Sequence, residues 1–204
     1  MNWDEVKLKL APFAGLTTYK EIKIVYDTAI RLNAKSILEL GIGQGGFSSA
    51  LLYACLETSG KLTSLTLDSY LKDGILTDKY PEFNAVKHNW TPIKTDCLEF
   101  AKTFFSPIDL LVIDCDHGKE HTLKELNAYA KYVKPEGEIL LHDVIHRAHG
   151  KDIVTAIIEF MQNPDSAESI ECVWNLNIIN TTCGMGRMYR TFRDPEFNKG
   201  CGWA

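Results

Sequence analysis

No apolar run in this chain approaches the roughly 20 residues that a membrane-spanning helix requires, so no span is expected. Positive charge is in deficit, with 22 Lys and Arg against 27 Asp and Glu and a net charge of -5. A surface that tracks phosphates needs clustered Lys and Arg, so nucleic acid is not an expected partner. The opening residues Met1-Asn2-Trp3-Asp4-Glu5 carry acids and no apolar segment, so no secretory signal is read there. Repeats, low-complexity tracts and linkers are also missing. None of the six cysteines (Cys55, Cys97, Cys115, Cys172, Cys183, Cys201) forms a Cys-x-x-Cys pair. A zinc site is therefore not expected. Several of these residues read instead as small buried hydrophobes in a reducing compartment, and the cytoplasm is the expected setting.

At 204 residues the chain fits one domain. Its centre of organisation is Ser36-Ile37-Leu38-Glu39-Leu40-Gly41-Ile42-Gly43-Gln44-Gly45-Gly46-Phe47-Ser48. An apolar strand runs into glycines, and Ser48-Ser49-Ala50-Leu51-Leu52 opens a helix. Glycines suit a sharp turn lying close to a ligand, and the helix that follows aims its amides at whatever fills the turn. Gly41, Gly43 and Gly46 satisfy the dinucleotide spacing, a weak signal by itself. Glu39 weighs against a dinucleotide. A carboxylate facing the ligand would repel a pyrophosphate and attract the ammonium and sulfonium of S-adenosylmethionine. Asp68 follows the second strand at about the distance where nucleotide-binding folds place an acid for the ribose hydroxyls.

Helical spacing of Ile22, Val25, Tyr26, Ala29 and Ile30 predicts a helix over one edge or mouth of the sheet. Strands are expected at 61–67, 91–95, 108–113, 138–141, 169–175 and 185–191, the last two antiparallel because no helix fits between them. Lys134-Pro135-Glu136-Gly137 reads as a turn, preceded by a helix with Leu123, Leu126, Ala130 and Val133 on one face. Residues 69–90, with Tyr70, Tyr80 and Trp90 as exposed aromatics, read equally as a substrate lid or a surface connection.

Strands four and five end in Asp114-Cys115-Asp116-His117 and His142-Asp143. Ligands bind at the carboxyl ends of strands in open α/β sheets, so both clusters should face one pocket. Carboxylates from neighbouring strands can hold Mg²⁺, and His117 titrates in the range of a general base. His121, His146 and His149 are read as solvated surface positions.

Taken together, the glycine motif, Val112-Ile113-Asp114-Cys115-Asp116-His117, Lys134-Pro135-Glu136-Gly137 and the His142-Asp143 strand end resemble small-molecule O-methyltransferases. The type is "methyltransferase domain 24" of the class I methyltransferases, whose relatives methylate sugars on macrolide and aminocoumarin antibiotics. The resemblance covers roughly residues 35–190. It implies a Rossmann-like α/β fold: seven mostly parallel strands, an antiparallel last strand and helices on both faces. The expected organisation is a single domain, 1–204, with a helical cap (1–34), a core (35–192) and a tail (193–204).

The resemblance also implies S-adenosylmethionine as cofactor, held by Glu39, Gly41, Gly43, Gln44, Gly45, Asp68, Asp96, Cys97 and Asp114, the Asp96-Cys97 pair at the adenine. Asp114 and Asp143 match metal-ligand positions, with His142 as the third residue of the set, and Asp116 and His117 match the two base positions. His142 stands where an acid is usual, so the set suits Mn²⁺, Fe²⁺ or Zn²⁺ as well as Mg²⁺. The expected partner is a small hydroxylated acceptor such as a sugar, and a homodimer is compatible with the sequence. An NAD-dependent oxidoreductase and a non-catalytic cofactor-binding module are the alternatives.

Overall fold

A computed structural model of the chain describes residues 3–10, 18–67, 86–163 and 172–192. Two helices lead, α1 (Trp3–Leu10) and α2 (Tyr19–Arg31). The core then runs β1 (Ser36–Leu40), α3 (Gly46–Thr58), β2 (Lys61–Thr66), β3 (Trp90–Lys94), α4 (Cys97–Ala101), β4 (Ile108–Ile113), α5 (Lys119–Tyr129), β5 (Val133–Leu141), α6 (Gly150–Gln162), β6 (Cys172–Ile179) and β7 (Met185–Phe192). The seven strands form one sheet in the order β3-β2-β1-β4-β5-β7-β6. The pairs among β1 to β5 are parallel, and β7 runs antiparallel to both β5 and β6. The expected fold class is the observed one.

Side-chain alternation along the central strands divides the core into two layers. Ile37, Leu110, Val112 and Leu140 meet α1, α2 and α3 on one face. Leu38, Leu40, Leu111, Ile113, Ile139 and Leu141 meet the second apolar layer, which includes Leu126 of α5 and Ile153, Ile157 and Phe160 of α6, on the other. Strands buried on both faces must read as near-continuous apolar runs, as β4 does. Thr18 caps α2 through a reciprocal box with Glu21. Asp109, at the start of β4, accepts from the backbone amides of Lys35 and Ser36 and from Lys134 Nζ, tying three elements together at the end of the sheet away from the glycine turn.

Three expected boundaries shift. The helix ends at Tyr129, and Val133 already pairs with Ile108 in β5. Lys134-Pro135-Glu136-Gly137 lies within that strand as an irregularity, since the next pair in register is Leu110 with Glu138. Proline is tolerated at such a point because no ladder hydrogen bond is asked of it. The sixth strand extends beyond Asn175 to Ile179, and the expected part before Cys172 lies outside the described residues. Trp90 is not a free aromatic. It starts β3, and its Nε1 donates to Ser64 Oγ at 2.9 Å. Residues 68–85, with Asp68 and most of the expected lid, and the tail 193–204 also lie outside the described residues.

Candidate cofactor and acceptor site

The glycine turn sits where β1 passes between β2 and β4. Gly41 N donates to Leu65 O at 3.0 Å, and Asp114 N donates to Leu40 O at 2.8 Å, so three strand ends are stitched together. Gly41 has φ +93°, and a Cβ there would lie 2.0 Å from the Asp114 carbonyl oxygen. Only glycine fits. Gly43, at φ +49°, has no atom within 4 Å of where its Cβ would be, so the space beside it is open. Gly45, at φ +84°, is the N-cap of α3.

Two cavities of about 390 and 400 Å³ open on either side of this turn. Gly41, Leu65, Thr66, Leu67, Thr95, Asp96, Cys97, Cys115, Asp116 and His121 line the first. Ile42, Gln44, Phe47, His117, His142, Asp143, His146, His149 and Cys183 are among the residues lining the second. Gly43 and Asp114 line both, so the two are halves of one cleft at the carboxyl edge of the sheet. Asp96 caps α4, its Oδ1 accepting from Leu98 and Glu99 amides at 2.8 and 3.0 Å, which presents Asp96 and Cys97 to the first half.

Glu39 departs from expectation. Its carboxylate is wholly buried and accepts from Ser48 Oγ on α3 and Ser64 Oγ on β2, lining neither cavity. Burial pushes its carboxyl up to about 8, the two hydroxyls pulling the other way. It therefore braces the turn from beneath. Its carboxyl does not face the cleft, and no repulsion of a pyrophosphate follows from it.

The second half of the cleft holds a carboxylate–histidine cluster. His142 Nδ1 lies 3.1 Å from Asp114 Oδ1 and 3.4 Å from Asp143 Oδ1. His117 Nε2 lies 3.1 Å from Asp143 Oδ2 and 3.6 Å from Asp114 Oδ1. Asp143 adopts φ +61°, a left-handed conformation that Asp tolerates better than most non-glycine residues. Burial opposes the charge on both aspartates. The imidazoles of His117 and His142 outweigh it at Asp114, as His117 does at Asp143, and each carboxyl is held below its ordinary value. Reciprocally, Asp114 and then Asp143 raise His117 to about 9. For His142, burial works against the charge, but Asp114 and Glu21 raise it to about 10. Donor atoms of Asp114, His142 and Asp143 all lie within 4.8 Å of one another, so two hard oxygens and a nitrogen converge as a divalent cation requires.

Asp116 does not join this cluster. It is exposed, and its Oδ1 accepts from Gly118 N at 2.7 Å, closing its own turn on the side of the first cavity. His146 and His149 are half-buried rather than solvated, and they stack in series on His117, with ring centroids 5.1 and 4.9 Å apart. Glu21 joins the cluster from outside the strand ends. From α2 it accepts from Thr181 Oγ1 and Cys183 N and approaches His142 Nε2 at 3.6 Å, fully buried. Its only sequence signal, Thr18-x-x-Glu21, reads as a helix cap.

Residues 38–144, just over half of the chain, match the family model of a methyltransferase domain. The chain belongs to that methyltransferase family. No curated protein matches it in sequence. Among solved structures, the S-adenosylhomocysteine-bound methyltransferase PaMTH1 of Podospora anserina is similar with a TM-score of 0.69 at 14% identity, over 87% of this chain and 80% of that one. The O-methyltransferase TomG of Streptomyces achromogenes, involved in tomaymycin synthesis and solved with S-adenosylmethionine, gives 0.66 at 16% identity, over 92% and 88%. An O-methyltransferase of Bacillus cereus with S-adenosylhomocysteine gives 0.65 at 17% identity, over 93% and 90%. At such identity these likenesses speak for the fold. With the family match, they make this chain a class I S-adenosylmethionine-dependent methyltransferase, which sets aside the oxidoreductase alternative. No helix among the described residues is long and apolar enough to cross a membrane.

Proposed function

We propose that this methyltransferase transfers the S-adenosylmethionine methyl group to a hydroxyl of a small molecule such as a sugar, a catechol or a modified amino acid, with a divalent cation assisting. The observation that carries this reading is the two-part cleft. A cavity beside the glycine turn joins, through Gly43 and Asp114, a second cavity walled by His117, His142 and Asp143. The cofactor would lie along Gly41, Gly43, Gln44 and Gly45 with its adenine toward Asp96 and Cys97, and the acceptor would occupy the second cavity. Two of the structural neighbours are themselves O-methyltransferases.

S-adenosylmethionine, when bound, would supply an electrophilic methyl group to the acceptor hydroxyl and would itself be left as a neutral thioether. Catalysis is mostly a matter of holding the two in line and dry. The hydroxyl proton goes to His117, the candidate base. Without a cation, Asp114 and Asp143 raise His117 to about 9, so it holds a proton at neutrality. With those two carboxylates engaged by a cation, His117 would lose that support and be freer to accept the hydroxyl proton. Asp114, His142 and Asp143 would hold the cation, which supplies Lewis acidity to the acceptor hydroxyl when bound. His142 must give up its proton to bind, so cation affinity should rise with pH.

The test is turnover with EDTA and with Mg²⁺ or Mn²⁺ restored. Activity should fall and return, and Asp143→Asn should lower it by about 100-fold. Full activity in EDTA together with normal turnover by Asp143→Asn would reduce these residues to groups that position the acceptor.

A further inference from the structure

At the far side of the first cavity, four side chains from three elements converge. Cys97 is the first residue of α4, Cys115 follows the end of β4, and His121 and Glu125 stand one turn apart on α5. Cys97 Sγ lies 4.0 Å from Cys115 Sγ, 3.4 Å from His121 Nε2 and 3.2 Å from Glu125 Oε1, and His121 Nε2 lies 3.4 Å from Glu125 Oε1. The donor atoms of all four residues lie within 4.8 Å of one another. Around a tetrahedral zinc ion, with bonds of roughly 2.0–2.3 Å, neighbouring ligand atoms stand roughly 3.2–3.8 Å apart. Three of the pairs fall in that range, and Cys97–Cys115 is slightly wider. Cys115 Sγ is closer to Glu125, donating to Oε1 at 2.5 Å, so a bound ion replaces that hydrogen bond.

Glu125 carries the second observation. Its side chain is 0% exposed, and its Oε2 is buried with no hydrogen-bond partner. The oxygen that faces the cluster is Oε1, which accepts from Cys97 Sγ and Cys115 Sγ, so this deeply buried acid is held on the two thiols while Oε2 stays unmet. Neither the cofactor motifs nor the carboxylate–histidine cluster uses this residue. The tyrosine hydroxyl of Tyr129 donates to the Cys97 carbonyl, fixing the backbone that presents the thiol.

We infer that Cys97, Cys115, His121 and Glu125 form a binding site for one zinc ion, which clasps α4, the end of β4 and α5 into the wall of the cofactor cavity. The ligands are two thiolates, an imidazole nitrogen and a carboxylate oxygen, a set whose sulfur and nitrogen donors favour zinc over magnesium. Binding releases to solvent the two thiol protons and the proton that the buried Glu125 carboxyl holds at neutrality, leaving two S–Zn bonds and no change of oxidation state. Cys115 and His121 are half-buried and line the cavity, which gives the ion its way in. The site shares no residue with Asp114, His142 and Asp143, so its presence does not depend on the acceptor chemistry.

Cobalt reports on this site directly, because thiolate ligands give a near-ultraviolet charge-transfer band that an oxygen and nitrogen set lacks. The full-length protein, stripped of metal and fully reduced, should gain that band and tetrahedral visible bands with one equivalent of Co²⁺, and Zn²⁺ should bleach both. Zinc should also raise its melting temperature. Cys115→Ser and Glu125→Gln should each weaken cobalt binding by at least about tenfold, while Asp143→Asn keeps the band. Absence of a thiolate band in the reduced native protein overturns the site, as does a band undiminished in Cys115→Ser. A Cys97–Cys115 disulfide forming in air, in a protein whose reduced form shows no band, overturns it in favour of a redox pair.

Discussion

The glycine turn and the carboxylate–histidine cluster meet at Asp114 and are held in place by opposite means. At the turn, backbone does the work: amides bond across three strand ends, and Gly41 fits because no side chain could. Glu39, the acid beneath it, is buried, kept protonated at neutrality and satisfied by two serines. In the cluster, side chains do the work. Two aspartates, two histidines and, behind them, Glu21 hold one another by charge, with His117 Nε2 and His142 Nε2 left without aligned hydrogen bonds. A site made of backbone is rigid before any ligand arrives. A site made of balanced charges exchanges protons for a cation or an acceptor, and so responds to pH.

The sharpest way to break this contrast is a pair of substitutions two residues apart. Gly41→Ala should cost at least about 3 kcal/mol, since a forbidden φ adds to a backbone collision 2.0 Å away. Gly43→Ala, with open space at its Cβ, should cost only about 1 kcal/mol of conformational strain. Urea unfolding of the two variants checks this, and equal losses would mean that the turn is not backbone-determined.

A smaller effect separates Glu39 from the cluster. Its folded value is raised to about 8 from 4.5, so the folded state binds the extra proton between those values. The stability that this proton confers is fully present below about 4.5 and is lost as pH rises through 8. Glu39→Gln removes that loss. The difference in unfolding free energy between the native protein and the variant should therefore drift steadily against the native protein as pH rises across that window. A flat difference would mean that Glu39 meets solvent or ligand after all.

The same contrast explains what could be read from the sequence. Gly41, Gly43 and the apolar strands β1 and β4 announce themselves because backbone conformation and burial restrict residue type at single positions. Strand ends then locate Asp114, Asp143, Asp96 and Cys97 on one edge of the sheet. What stayed hidden depends on long-range side-chain geometry. Glu21 lies far from His142 in sequence and reads as a capping residue, which it also is. His146 and His149 read as solvated because their stacking on His117 follows from the path of the chain between β5 and α6. Cys97, Cys115, His121 and Glu125 lack a zinc-type cysteine pair, and His121, read as solvated, is half-buried beside Cys97 and Glu125. Glu39 misled in the other direction, its position read correctly and its side chain assigned to the wrong surroundings.

The open space beside Gly43 is the central claim, and calorimetry tests it most directly. S-adenosylhomocysteine and NAD are titrated into the native protein and into Gly43→Val. The native protein should bind S-adenosylhomocysteine at one site and NAD far more weakly or not at all, and folded Gly43→Val should lose the S-adenosylhomocysteine signal. Tighter binding of NAD, or normal S-adenosylhomocysteine binding by Gly43→Val, would contradict the assignment of this cleft.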